Sequence, residues 1–270
     1  MSFAQQRVTV DGATIRLFRG GGGRPLVFLH GAGGHTGWRP FMETLSAEFE
    51  VIAPEHPGFG QSDDPSWLDT VADLAYFHLD LLRALGLERV HLVGTSLGGW
   101  VAAEMAVRNT AALASLTLVC AVGILANGEP IPDIFRMPVE ENLRRYFADP
   151  ETAARRLADL GKADQAMIAK NRATVTRLAY RPRFHNPHLH KWLHRIDVPT
   201  LLVWGAQDGL VPPEFGEAYR GLIPGSRLVV LDNAGHAPFD EQETAFVAAF
   251  REFTDCRLAS ATSSSRPSPE

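Results

Sequence analysis

Apolar residues in this chain fall into short, nearly continuous runs separated by stretches of helical periodicity. The runs are PLVFLH (25–30), EVIAP (50–54), RVHLV (89–93), LTLVCAV (116–122), TLLVW (200–204) and RLVVL (227–231). Each has the length of a strand, and a run that is apolar at almost every position implies burial on both faces, as in a parallel sheet. Ahead of them, RVTVDGATIRLF alternates around Asp11-Gly12, a dipeptide suited to the positive φ values of a two-residue turn. An antiparallel hairpin is predicted there, followed by a flexible loop at the four glycines 20–23. The clearest helical pattern covers 69–85, where Val71, Leu74, Phe77, Leu81 and Leu85 recur at three- and four-residue spacing and Gly86 acts as a stop. Strands alternating with helices predict a doubly wound α/β sheet, mostly parallel, of about eight strands with helices on both faces.

From 125 to 195 the alternation stops, leaving helical patterns such as VEENLRRYFA, ETAARRLADL and DQAMIAKNRATVTRLAY. About 70 residues is too long for an unstructured loop, so a helical insertion is expected. It divides an α/β core into 1–124 and 196–256, and the Ser/Pro-rich tail 257–270 is expected to be disordered.

Composition narrows the partners. The 270 residues are 45% hydrophobic and 21% charged with a net charge of −5, and Lys and Arg are scattered instead of forming a basic stripe. That excludes a nucleic-acid surface or a polybasic membrane patch and favours a small-molecule partner, with the chain a monomer or homodimer. The N-terminus has no apolar signal-like region, and no run reaches the roughly 18 apolar residues of a membrane span. Cys120 and Cys256 are expected to be free thiols. Together these features predict a cytoplasmic protein.

The run RVHLV leads into Gly94-Thr95-Ser96-Leu97-Gly98-Gly99, and the amphipathic WVAAEMAVR follows. G-x-S-x-G between a strand and a helix lets the backbone turn sharply and presents the serine hydroxyl at a helix N-terminus. No Lys-Ser/Thr pair follows the glycines, so a phosphate loop is excluded. A serine nucleophile needs a base and a carboxylate to orient that base. Asp208 follows the strand run TLLVW, and His236 follows RLVVL, both just beyond strand C-terminal ends where open α/β sheets place their sites. Ser96, Asp208 and His236 are the predicted triad. For the oxyanion, the N–H of Leu97 is one expected donor and that of Ala32, in the small-residue loop HGAGG, the other.

With HGAGG, PGFGQS, GTSLGG, WGAQD and AGH, the chain resembles the α/β-hydrolase superfamily over residues 6–255, in particular its compact capped members. One departure is Glu55 in PEHPGFG, where relatives carry Asp. The resemblance implies that 125–195 is a cap over the nucleophile, with Met137, Phe147, Met167, Ile168, Val175 and Leu178 as its apolar underside. It places Trp38 and Phe59 near the mouth, so Trp38, Phe59, Met137 and Met167 are the expected substrate contacts. A serine in place of aspartate as nucleophile argues against dehalogenase and epoxide hydrolase chemistry and for cleavage of small-to-medium carboxylic esters, without a cofactor. The alternative with the same residues is C–C bond hydrolysis of vinylogous diketones. Members of that group carry Trp after the catalytic histidine, where this chain has Ala237-Pro238, and a cap arginine for which Arg181 or Arg183 would have to serve. A small-molecule receptor of hydrolase fold is the alternative of another class.

RFHNPHLHKWLHRI (183–196) holds four of the ten histidines, and His190 and His194 have the i, i+4 spacing of a helical zinc pair. No Asp, Glu or Cys within the run completes a ligand set, and Leu189, Leu193 and Ile196 give it an apolar face instead, so no metal is predicted.

Overall fold

The computed structural model describes residues 3–161 and 163–263. Its strands are β1 (Phe3–Val10), β2 (Ala13–Gly21), β3 (Arg24–Leu29), β4 (Phe49–Pro54), β5 (Val90–Thr95), β6 (Leu113–Val119), β7 (Thr200–Gly205) and β8 (Arg227–Leu231). They form one sheet in the order β1-β2-β4-β3-β5-β6-β7-β8, in which β2 runs antiparallel to both its neighbours and all other pairs are parallel. The predicted hairpin is present: Asp11 and Gly12 have φ of 48° and 76°, and Val10 pairs with Ala13. Every residue of β5 and β7 is buried, as their apolar runs require, whereas the edge strands β1 and β8 are largely open to solvent.

The helices are α1 (Pro40–Leu45), α2 (Val71–Ala84), α3 (Leu97–Arg108), α4 (Val139–Tyr146), α5 (Pro150–Leu160), α6 (Gln165–Ala179), α7 (Pro213–Leu222), α8 (Pro238–Glu241) and α9 (Glu243–Ser263). Helix α2 starts at a capping box in which Thr70 and Asp73 satisfy each other's backbone N–H groups. Helices α2 and α3 pack together, and α1, α8 and α9 form a second group. Between β6 and β7 the chain makes α4, α5 and α6 and no strand of the sheet, and α5 and α6 are each capped by an aspartate, Asp149 and Asp164. The two ends of this segment are pinned together, since Gly123 N–H donates to Phe184 O and Asn186 N–H to Gly123 O, both at 2.9 Å.

Two expectations differ from the structure. The glycines 20–23 are not all loop: β2 continues through Gly21, where φ is 80° and a Cβ would lie 2.3 Å from Phe49 O, so glycine is there to let two backbones meet. The sixth strand lies three residues earlier than its apolar run, because Cys120 takes φ of 45° and leaves the sheet. Helix α9 runs to Ser263; the rest of the tail expected to be disordered, residues 264–270, and the side chain of Cys256 lie outside the described residues. Among the described residues no helix is long and apolar enough to cross a membrane.

Candidate active site

Ser96 joins β5 to α3 with φ 53° and ψ −115°, a conformation that a side-chain-bearing residue adopts only under constraint. The constraint comes from both sides. Ser96 N–H donates to Val119 O at 2.9 Å, and Ser96 O accepts from Trp100 N–H at 3.1 Å. The flanking glycines have no room for a side chain: a Cβ on Gly94 would lie 2.2 Å from Gly98 O, and one on Gly98 2.2 Å from Leu29 O. Leu97 N–H is the first of α3 and has no acceptor within the helix.

Asp208 and His236 come from the loops after β7 and β8. Gly205, at the end of β7, lets these loops approach, because a Cβ there would sit 2.0 Å from Gly235 O. Asp208 Oδ1 accepts from the N–H groups of Leu210 and Val211 at 2.9 and 2.8 Å, which turns Oδ2 toward His236. His236 Nδ1 and Asp208 Oδ2 are 2.7 Å apart, and both side chains are almost fully buried. Because the carboxylate occupies the Nδ1 edge, Nε2 is left as the free edge of the ring. Ser96 Oγ makes no hydrogen bond among the described residues; it and His236 face one cavity of about 450 Å³.

Ala32 is in the wall of that cavity, with His30 and His35 beside it. Gly31 passes close to the serine, such that a Cβ on it would be 3.2 Å from Ser96 Cβ. Opposite this loop, Leu143 and Tyr146 of α4, Leu160 of α5 and Met167, Ile168 and Asn171 of α6 complete a mainly apolar roof. Asn171 clamps roof to floor, its Nδ2 donating to Gly33 O at 3.1 Å and its Oδ1 accepting from Gly60 N–H at 2.8 Å. A second cleft of about 520 Å³ adjoins the cavity and shares Arg39, Phe147, Arg156 and Asp240 with it. Arg39 is committed to Asp240 by two hydrogen bonds, at 2.6 and 3.2 Å. Burial, the largest influence, raises the Asp240 carboxyl above its ordinary value despite that arginine.

Of the expected substrate contacts, only Met167 lines the cavity. Trp38 instead stacks on Phe3 of β1 with ring centres 5.0 Å apart, and its Nε1–H donates to Glu43. Phe59 is fully buried against the rings of His30 and His56. Met137 packs on the hydrophobic core outside the cavity wall. Phe147 and Ile168 line the cavity, whereas Val175 and Leu178 are core. Wall residues that sequence reasoning missed include Asn142, Tyr146, Arg156 and Asp159. Their i, i+3 and i, i+4 spacings on α4 and α5 were a readable signal, but nothing local indicated which face would meet the serine.

Arg181 and Arg183 are also outside the wall, Arg183 being held by Ile131 O and Asp133. Glu55 has a structural place: fully buried, it accepts from Arg16, from Gln61 N–H at 2.7 Å and from Ser62 N–H at 3.1 Å, tying the PGFGQS turn to β2. His188, His190 and His194 are exposed while Leu189, Leu193 and Ile196 are buried, in two 3₁₀ turns and the residue after them. Among the described residues the group with metal-like proximity is Cys120, Asp208 and His236, whose ligand atoms lie within 4.8 Å of one another. Burial pushes the Cys120 thiol well above its ordinary value, so the thiolate a metal requires is disfavoured there.

The family model described as "Alpha/beta hydrolase family" matches residues 26–250. The chain belongs to that family. A 2-hydroxy-6-oxononadienedioate/2-hydroxy-6-oxononatrienedioate hydrolase of Pseudomonas putida is 31% identical over 80% of this chain and 82% of its own. A pimeloyl-[acyl-carrier protein] methyl ester esterase of Neisseria meningitidis is 28% identical over 86% of this chain and 94% of its own. Among solved structures, a membrane phospholipase A described as a bacterial virulence factor has a TM-score of 0.79 and 28% identity, covering 94% of this chain and 86% of its own.

Proposed function

We propose that this member of the family is a serine hydrolase that cleaves small-to-medium carboxylic esters through an acyl-enzyme intermediate, with Ser96, Asp208 and His236 as its triad. The observation that carries the reading is Ser96, held in a strained turn, sharing a cavity with His236 while Asp208 occupies the far edge of that imidazole. Ser96 Oγ attacks the ester carbonyl as its proton passes to His236 Nε2. The negative oxygen of the tetrahedral intermediate is held by the Ala32 and Leu97 N–H groups. Collapse expels the alkoxide, which takes the proton from His236. Water then attacks the acyl-enzyme, gives its proton to the same nitrogen, and collapse returns that proton to Ser96 with release of the acid.

The roof formed by residues 125–195 is a cap that excludes water and shapes the acyl pocket, and its apolar wall suits an uncharged acyl chain. The methyl ester esterase and phospholipase among the relatives support ester cleavage. A panel of p-nitrophenyl esters from acetyl to dodecanoyl tests it: the wild type turns over the shorter members and Ser96→Ala lowers the rate by several orders of magnitude. Equal rates in both proteins would refute the assignment.

C–C bond hydrolysis is the second reading, favoured by the dienedioate hydrolase relative. The geometry supports it less, because Arg181 and Arg183 are not among the residues that line the cavity and Arg39 is already paired. Loss of the visible absorbance of a 2-hydroxy-6-oxo-dienoate tests it directly.

A further inference from the structure

His30, His56 and His78 are buried in a chain that starts at the cavity wall and ends on α2. Burial, in each case the largest influence, lowers all three, His56 to about 4 and His30 and His78 well below the ordinary imidazole value. At neutral pH each ring is therefore uncharged and carries a single N–H.

With one proton per ring, the contacts have one consistent solution. His56 Nε2 lies 3.0 Å from His30 O, and since a carbonyl only accepts, Nε2 carries the proton of His56. Its Nδ1 is then bare and accepts from His78 Nε2–H at 2.6 Å. That leaves His78 Nδ1 bare, and among the nitrogens of these three rings it is the buried one without a hydrogen-bond partner among the described residues. On the other branch, His56 backbone N–H donates to His30 Nε2 at 3.0 Å, so the His30 proton is on Nδ1 and is donated to Gly31 O at 2.8 Å.

Two consecutive carbonyls of the HGAGG loop, those of His30 and Gly31, are thus held by histidine N–H groups. In a trans peptide the N–H lies opposite the carbonyl, so fixing Gly31 O also fixes the direction of Ala32 N–H. That N–H makes no hydrogen bond among the described residues. Without the His78 donor, only the His30 carbonyl still holds the His56 proton on Nε2, and the ring loses the contact that fixes its orientation toward that carbonyl.

We propose that His56 and His78 are positioning residues for the oxyanion-binding peptide: His78 fixes the His56 ring against the His30 carbonyl, and the His56 backbone N–H fixes the His30 ring that holds the Gly31–Ala32 peptide. This rests on the reading of Ala32 as an oxyanion donor.

The test has two arms. Two-bond ¹H–¹⁵N correlation spectra of the wild type should show His30 as the Nδ1–H tautomer and His56 and His78 as Nε2–H tautomers. In p-nitrophenyl ester kinetics, His78→Leu should lower kcat about ten-fold or more with KM within about two-fold, because the oxyanion contact is made in the transition state. His78→Gln, whose amide can present an N–H near the Nε2 position, should recover most of that loss. Any other tautomer pattern overturns the chain, as does wild-type kcat in His78→Leu, or a loss that His78→Gln does not reverse. If the wild type cleaves no ester, the functional reading has failed, and the spectra still decide the tautomer chain. They are read without a variant, so a poorly folding His78→Leu does not remove the test.

Discussion

His236 and Asp208 are joined at 2.7 Å through the Nδ1 edge of the imidazole, and the other carboxylate oxygen of Asp208 is held by two backbone N–H groups. The carboxylate can therefore neither rotate away nor exchange its oxygens. Asp208→Asn can keep the Oδ1 contacts but turns an NH₂ toward Nδ1, which drives the ring proton to Nε2 and removes the base. The expected result is a folded protein whose kcat for esters falls by about 10⁴-fold, measured by initial rates beside a thermal melt that stays close to wild type.

Glu55 lies under the PGFGQS turn with Arg16 as its partner, and both side chains are nearly closed to solvent. Truncation to alanine leaves a buried guanidinium without a counter-charge and two backbone N–H groups without an acceptor. Glu55→Ala is expected to cost about 3–5 kcal/mol of stability, read as a lower midpoint in urea unfolding. Glu55→Gln retains an acceptor and should lose less.

The buried histidines make the fold sensitive to acid. In the unfolded chain these rings gain protons below about 6.5, whereas folded His56 resists protonation until about 4 and folded His35 until about 3. Their folded values are depressed, so the unfolded state binds more protons in this window and stability falls as pH falls through it. The slope approaches about 1.4 kcal/mol per pH unit for each ring that titrates only when unfolded. Urea midpoints should therefore drop steeply from pH 7 to pH 4, and more gently in His78→Leu.

Met167 projects from α6 into the cavity wall. Shortening it widens the space over Ser96 at little cost to folding, since it is only half-buried. Met167→Ala is expected to move the preferred acyl chain of a p-nitrophenyl ester series toward longer members, with the ratio of kcat/KM for dodecanoyl over butanoyl rising about ten-fold or less.

Much of this was legible in the chain because the relevant constraints are local. The glycines around Ser96 are required by approaches of 2.2 Å within the turn itself and to the neighbouring strand. Asp208 and His236 follow strand-forming runs, and the sheet brings the ends of β7 and β8 side by side. Trp38 was misplaced for the opposite reason: its exposure is decided by Phe3, on a strand remote from it in sequence. Phe59 and the His56–His78 contact likewise depend on segments that meet only in the folded molecule. The roof was visible as helices without strands, but the identity of its inner face depends on how α4, α5 and α6 are tilted, which periodicity does not encode.

Asn171 belongs to the roof, yet both of its amide bonds end on the floor, at Gly33 O and Gly60 N–H. The roof is consequently not an interchangeable module. A helical segment transplanted here from another hydrolase would have to bring an amide to the same place, or leave the HGAGG and PGFGQS loops each short of a partner in the wall that faces Ser96.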